Sequence, residues 1–411
     1  MKEIILQGQA QQMRAAVFED GNVIEVHEEE GAYSHLVGNI YRGRVENVLP
    51  GMQAAFVDIG LGKNAFLYVA DAIPLCFDGD AKVSVNRLPR VEQVLKSRQE
   101  LLVQIIKEPV GTKGARISTN ITIPGRYTVL MPNTDYIGVS RRITDEDERT
   151  RLRELARGIC PQGMGVIIRT LAEGVEGNEL TEDLQELVEL WQQITEKLPH
   201  VSVPGLAHED VDLLSRMIRE WVDSSVEALT VNQPEVAEGL RNALRKIGHP
   251  AANHVRLIYK DNLFDDYGVD DEIRKALRSK VWLKSGGYLV VQQTEALTVI
   301  DVNTGKYVGQ NSLEHTVLHT NCEAAEEIAR QLRLRNLGGI IIIDFIDMIS
   351  EEDQKQVLGV LEKACAKDKV KCQIMGLTQL GLVEMTRKKI GQTLAVRYSK
   401  PCSSCEGTGR I

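Results

Sequence analysis

Between Leu297 and Asp347 the chain reads LTVIDVNTGKYVGQ, then a long stretch rich in Glu, Ala, Leu and Arg, then LGGIIIIDFIDM. This pattern restricts the fold more than any other. Leu297–Ile300 and Ile340–Ile343 are short apolar, β-branched runs that read as buried strands. Glu314 to Arg335 lacks Pro and Gly and sets Glu326 one helical turn before Arg330, which reads as a helix. Strand, helix and strand of this length make a βαβ unit, with parallel strands and a right-handed crossover. Each apolar run ends in an aspartate, Asp301 and Asp344. Parallel strands bring both to the carboxyl edge of the sheet, where open α/β sheets bind ligands.

Two carboxylates at one edge repel and call for a cation. Oxygen ligands without neighbouring His or Cys favour a hard ion, Mg²⁺ or Mn²⁺. Asn303 can orient a ligand or a water, and Gly305 and Gly309 are expected to keep the following loop open to a bulky substrate. The chemistry implied is metal-assisted attack on a phosphodiester. The alternative is structural: both aspartates cap helices or form salt bridges.

The remaining sequence is that of a multidomain, water-exposed protein. A chain of 411 residues exceeds one core. It has no apolar run of membrane-spanning length and no secretory leader at MKEIILQG, so a cytoplasmic protein without a membrane span is expected. Seven cysteines are an odd number for a disulfide scaffold, and only Cys402 and Cys405 have metal-like spacing. A net charge of −9 argues against a chain coated in nucleic-acid-binding charge, but basic clusters at Arg141–Arg142, Arg330–Arg335 and Arg387–Lys389 leave room for RNA.

Taken in order, Met13–Phe18 and Val23–Val26 flank Glu19–Asp20–Gly21–Asn22, a hairpin signal. From Leu36 to about Ser118, short β-runs and Gly turns fit a small OB-type barrel, with Pro74–Arg98 as an insertion. Phe56, Phe66 and Tyr68 could stack bases, or equally fill the barrel core; Lys63 and Lys113 could meet phosphates. Ile121 to about Pro204 alternates strands RYTVLMP and GVIIRT with two helices, the first opened by a Thr144–Asp147 capping box. Arg169 and Thr170 end a strand, where a cation beside a hydroxyl can hold a terminal phosphate or simply form a surface ion pair. Leu206–Leu229 reads as an amphipathic helix, and helices follow at Pro234–Ile247 and Asp270–Ser279. Beyond the βαβ unit come a helix at Glu351–Ala366, a strand at Lys371–Met375 and a basic helix at Val383–Lys389. The terminus CSSCEGTG offers a Cys-x-x-Cys half-site for Zn²⁺, which a second chain could complete; an incidental reduced dithiol is the alternative.

LPGMQAAFVDIG, GVSRRI, ARQLRLRNLGGIIIIDFIDM and CSSCEGTG, in this order, resemble the ribonuclease E/G family over essentially the whole chain. The resemblance implies an α/β multidomain protein. An RNase H-like subdomain (1–35 and 215–280) would hold an inserted S1-type OB barrel (36–118) and a 5′-sensor subdomain (119–214). A DNase I-like α/β catalytic subdomain (281–400) and a zinc-link (401–411) would follow. It also implies a Mg²⁺-dependent endoribonuclease for single-stranded RNA with a 5′-monophosphate preference, acting in rRNA and tRNA processing and mRNA decay. Asp301 and Asp344 match the family's Mg²⁺ ligands, and Asn303 the asparagine that positions them. Arg169, Thr170 and Val129 match its 5′-phosphate sensor, and Phe56, Phe66 and Lys113 its RNA contacts. Cys402 and Cys405 match a Zn²⁺ link between subunits of a homodimer or homotetramer. Two departures stand out: family members usually continue into an oligomerisation domain beyond the cysteines, and Gln379 replaces an expected basic residue. The rival class is a non-catalytic RNA-binding scaffold.

Overall fold

Three antiparallel strands open the chain, β1 (Lys2–Gln9), β2 (Gln12–Glu19) and β3 (Asn22–Glu30). At the expected hairpin turn, Asp20 and Gly21 both take left-handed backbone, φ 50° and 77°, as a two-residue connection between twisted strands demands. The computed structural model describes residues 1–9, 12–30, 36–75, 77–78, 81–82, 88–109, 113–305, 313–400 and 402–405. Two compact units result: Met1–Gly31 with Ser224–Ile411, and Ala32–Asp223.

The second unit begins with β4 (Ile40–Leu49), β5 (Ala54–Asp58), β6 (Ala65–Tyr68), β7 (Glu100–Lys107) and β8 (Arg116–Ser118). They pair in the order β4-β5-β6-β8-β7, and a β4–β7 ladder closes an OB-like barrel. Ala55, Val57, Ala65, Leu67, Val103 and Ile117 fill it, alternating with outward residues at the two-residue period of a strand. Val91 and Leu95 are also buried in this core, so the C-terminal part of the expected Pro74–Arg98 insertion belongs to the barrel. Next come β9 (Ile123–Pro124), β10 (Thr128–Met131), β11 (Ile137–Val139), α1 (Glu146–Ile159), β12 (Gly165–Ile168) and α2 (Gly177–Lys197). The sheet β9-β10-β12-β11 shares a core with Leu152 and Ala156 of α1 and Leu180, Leu184 and Ile194 of α2. The N-cap of α1 is Asp145, whose carboxylate accepts from the N–H of Asp147 and Glu148; the cap lies one residue past the Thr144 expected from sequence.

The expected helix Leu206–Leu229 is three elements: β13 (Gly205–His208), α3 (Leu213–Glu220) and β14 (Val226–Val231). Leu213, Met217 and Trp221 supply the helical spacing, but β14 sits between two other strands and is buried nearly throughout, which hides any strand period. With β14 the chain returns to the first unit, pairing parallel to β1 and then, after α4 (Pro234–Lys246), to β15 (Val255–Leu257). The sheet order β15-β14-β1-β2-β3 therefore joins strands from both ends of the insertion.

A six-stranded sheet completes this unit: β16 (Lys280–Trp282), β17 (Tyr288–Gln293), β18 (Leu297–Asn303), β19 (Gly339–Asp344), β20 (Cys372–Leu377) and β21 (Val383–Arg387), ordered β16-β17-β18-β19-β21-β20. Only β18 and β19 run parallel, linked by α5 (Leu313–Leu334). This helix and α6 (Glu351–Ala366) pack through Ala324, Ile328, Leu332, Val357 and Leu361 on Ile300, Val302, Ile341 and Ile343. One face is thus covered, whereas Ile340 is 51% exposed on the other, so the isoleucine run is half-buried rather than buried. The expected helix Val383–Lys389 is strand β21. Val383, Met385 and Arg387 are buried and Glu384 and Thr386 exposed, and the buried charge of Arg387 hides this alternation. Asp368 neutralises it at 2.7 Å.

Candidate active site

The parallel register of β18 and β19 sets Asp301 directly beside Asp344. Neighbouring strands lie about 4.8 Å apart, and registered residues share a face, so two carboxylates emerge side by side. Ile300, Val302 and Ile343 point to the helices, so both aspartates and Asn303 belong to the opposite, open face. Asp344 is exposed and Asp301 half-buried. The Asn303 Nδ2 donates to Asp301 Oδ2 at 2.7 Å, fixing one carboxylate oxygen and leaving the other for a ligand. Gly305 is not an open gate: at φ 60° it passes so close to the Gly286 carbonyl that a Cβ would come within 2.5 Å of that oxygen. Gly309 lies outside the described residues.

Sequence reasoning missed Asn321. Fully buried on α5, it donates to the Ile346 carbonyl at 2.8 Å and accepts from the Ile346 N–H at 3.1 Å. It thereby clamps the backbone just beyond Asp344. A lone amide on the apolar face of a helix was the available signal.

Asp301 and Asp344 could hold a hard divalent cation. Among the described residues no His, Cys, Asp or Glu joins them in a cluster of three. That donor set suits Mg²⁺, which is bound by one or two carboxylates and fills its remaining positions with water and substrate phosphate.

Candidate RNA contacts lie on the other unit. Phe56 and Phe66 face each other across β5 and β6, centroids 6.2 Å apart at 70°. Both are half-buried and outside the barrel core, whereas Tyr68 packs against it, so of the three aromatics the two phenylalanines belong to the surface and Tyr68 to the core. Lys113 is exposed just before β8. Val129 pairs with Ile167, and the Arg169 N–H donates to the Tyr127 carbonyl, so Val129 and Arg169 share one face of their sheet. Arg169 is ion-paired to Glu220 of α3 and donates to the Gly125 carbonyl. Burial pushes the Glu220 carboxyl up, yet Arg169 and Arg219 outweigh it and hold the group below its ordinary value. Thr170 Oγ1 lies 3.0 Å from Ser140 Oγ. A second residue the sequence did not reveal, Asp183 on α2, accepts from the N–H of Arg126 and Thr128 and from the Thr128 hydroxyl, anchoring the loop below Arg169.

Cys402 is exposed, and backbone N–H groups of Ser404 and Cys405 aimed at its sulfur hold the thiol below its ordinary range. A sulfur whose ionised form is favoured in this way, with Cys405, is a fitting half-site for Zn²⁺. Cys76, Gly407 and Gly409 lie outside the described residues. No helix among the described residues is long and apolar enough to cross a membrane.

A family model described as the ribonuclease E/G family matches residues 122–390. The chain is 42% identical to a protein named ribonuclease G from Salmonella typhimurium (strain SL1344), over 100% of this chain and 84% of that protein. The same identity and shares hold for ribonuclease G of Escherichia coli (strain K12). A protein named ribonuclease E from Nostoc sp. (strain PCC 7120) is 42% identical, over 99% of this chain and 58% of its own length.

Proposed function

Since the chain belongs to the ribonuclease E/G family, we propose that it is a Mg²⁺-dependent endoribonuclease that cuts single-stranded RNA and favours a 5′-monophosphate end. That it is an endoribonuclease follows from the named relatives. The finer statements rest on the site, and one observation carries them: the in-register Asp301–Asp344 pair on a bare sheet face.

In this reading water attacks the scissile phosphorus and the bond to the 3′ oxygen breaks, giving a 5′-phosphate and a 3′-hydroxyl. Asp301 and Asp344 would hold Mg²⁺, which would supply positive charge to the phosphate and lower the pKa of water. The chain's own work is to orient. Asn303 fixes the Asp301 carboxylate, Asn321 fixes the turn after Asp344, and Phe56, Phe66 and Lys113 hold unpaired RNA by stacking and charge. Arg169, Thr170 and Val129 receive the 5′-phosphate, with Arg169 exchanging the Glu220 carboxylate for it. Cys402 and Cys405 bind Zn²⁺ jointly with a second copy, giving a homodimer that can pair into a tetramer. The processes served are rRNA and tRNA maturation and mRNA decay in the cytoplasm. The RNase H-like, 5′-sensor and DNase I-like divisions belong to the same proposal.

The test is cleavage of a fluorescent oligonucleotide across a Mg²⁺ titration, with both kinds of 5′ end. Asp301→Asn and Asp344→Asn should each cut about a thousandfold more slowly, the scale of several kcal/mol of lost transition-state stabilisation, while still binding RNA. Cutting at near the native rate by either variant would sink the assignment, and no cutting at any Mg²⁺ concentration would favour a binding scaffold. Light scattering of Cys402→Ala should show a shift toward monomer; an unchanged mass would remove the Zn²⁺ link.

A further inference from the structure

We propose that Trp282, with Tyr288 and Lys280, forms a platform that stacks an unpaired nucleobase of the RNA beside the cut. This rests on the reading of Asp301 and Asp344 as the hydrolytic site. Strand register supplies the geometry. Across the sheet one row runs Lys280–Val290–Asp301–Asp344, and the adjacent row runs Trp282–Tyr288–Asn303. Members of a row share a face, so Trp282 and Lys280 lie on the same open face as the carboxylates, two strand spacings or about 10 Å from the strand of Asp301 and three or about 14 Å from that of Asp344. The core-facing neighbour Val281 confirms the orientation by packing with the helix-covered side.

Side-chain contacts make the group a cationic aromatic patch. The Trp282 and Tyr288 rings meet edge to face, centroids 5.4 Å apart at 64°. The Lys280 ammonium lies 3.5 Å from the Tyr288 centroid and 4.2 Å from that of Trp282. These contacts fix the indole, yet Trp282 remains 61% exposed. A held but uncovered indole on an edge strand has lost its rotamer freedom before any ligand arrives, so stacking a base on it costs little further ordering. Base–aromatic stacking tolerates any base, and the adjacent ammonium suits the polyanionic strand. A base inside a duplex is already stacked and cannot occupy the indole, so the platform selects single strands.

The chain carries its own reporter. Of the three tryptophans, Trp221 is 6% exposed and Trp191 packs against a core, so Trp282 alone is broadly open. Full-length Asp301→Asn protein, without Mg²⁺, is titrated with a 5′-hydroxyl single-stranded RNA oligonucleotide and followed by tryptophan fluorescence and anisotropy. Expected are quenching by the single strand but not by the duplex, loss of quenching in Trp282→Phe with affinity within about threefold, and affinity about fivefold to a hundredfold weaker in Trp282→Ala. In the protein with native Asp301, Trp282→Ala should raise KM with kcat little changed. Native affinity of Trp282→Ala, or binding without quenching, would overturn the platform. A change of mass by light scattering with native RNA affinity would overturn it too, in favour of a second copy covering the indole. Cleavage by Asp301→Asn in Mg²⁺ would instead overturn the carboxylate reading, and with it the platform's place beside the cut, whereas quenching would still report the stack.

Discussion

The six-stranded sheet of one unit and the four-stranded sheet of the other both carry charge near a strand end, in opposite states. On the first, Asp301 and Asp344 stand side by side, and among the described residues Asn303 alone donates to them. On the second, Arg169 is already matched by Glu220 and a backbone carbonyl. Like charges held together and left open need a ligand of opposite sign, whereas a matched pair is stable alone and binds a phosphate only by exchange. The first arrangement suits chemistry and the second discrimination, because exchange makes occupancy depend on how well the newcomer replaces the carboxylate.

Three substitutions probe that contrast. Asn303→Ala frees Asp301 to rotate and should lower kcat about tenfold to a hundredfold, as for other residues that orient a metal ligand. Raising Mg²⁺ should recover part of that loss, and a kcat equal to native would show that the Asn303 contact positions nothing. Arg169→Gln should reduce the advantage of 5′-monophosphate over 5′-hydroxyl RNA about tenfold while cutting of 5′-hydroxyl RNA persists; an unchanged ratio would remove the sensor. The smallest effect is of opposite sign. Glu220→Gln removes the competing carboxylate and should raise the 5′-monophosphate advantage a few-fold. Since the Glu220 carboxyl is held below its ordinary value, its pairing stabilises the protein above the usual carboxylate range and is lost as pH falls through the lowered value. Glu220→Gln should therefore be less stable than native near neutrality and approach it in acid, as denaturant midpoints across pH would show. Equal stability at neutral pH would mean that the pair contributes nothing to the fold.

The contrast also explains what could be read in advance. The βαβ unit was legible because its signal is local: two β-branched runs, each closing on an aspartate, around an unbroken helix. The barrel was legible for the same reason, from short alternating runs. Strand β21 was not, since Arg387 interrupts its apolar alternation and the Asp368 that makes this tolerable is a tertiary partner. Nor was the open face of the six-stranded sheet, because four consecutive isoleucines read as buried whichever way they point, and only the one-sided packing of α5 and α6 separates Ile341 and Ile343 from Ile340. Asn321 and Asp183 act through backbone groups distant in sequence, which no local pattern encodes. Arg169 was visible as a strand-end cation, but Glu220, which sets its state, was visible only as part of a mistaken long helix.

The parallel pairing of β1 with β14 has a consequence for biosynthesis. At ribosomal rates of about 5–20 residues per second, the opening hairpin leaves the exit tunnel roughly 10 to 40 s before the strand that completes its sheet. Throughout that interval the edge of β1 is an unpaired ladder, while the contiguous unit between them emerges and can fold. The nascent chain thus matures from the middle outward, and chaperone demand should concentrate on its first thirty residues.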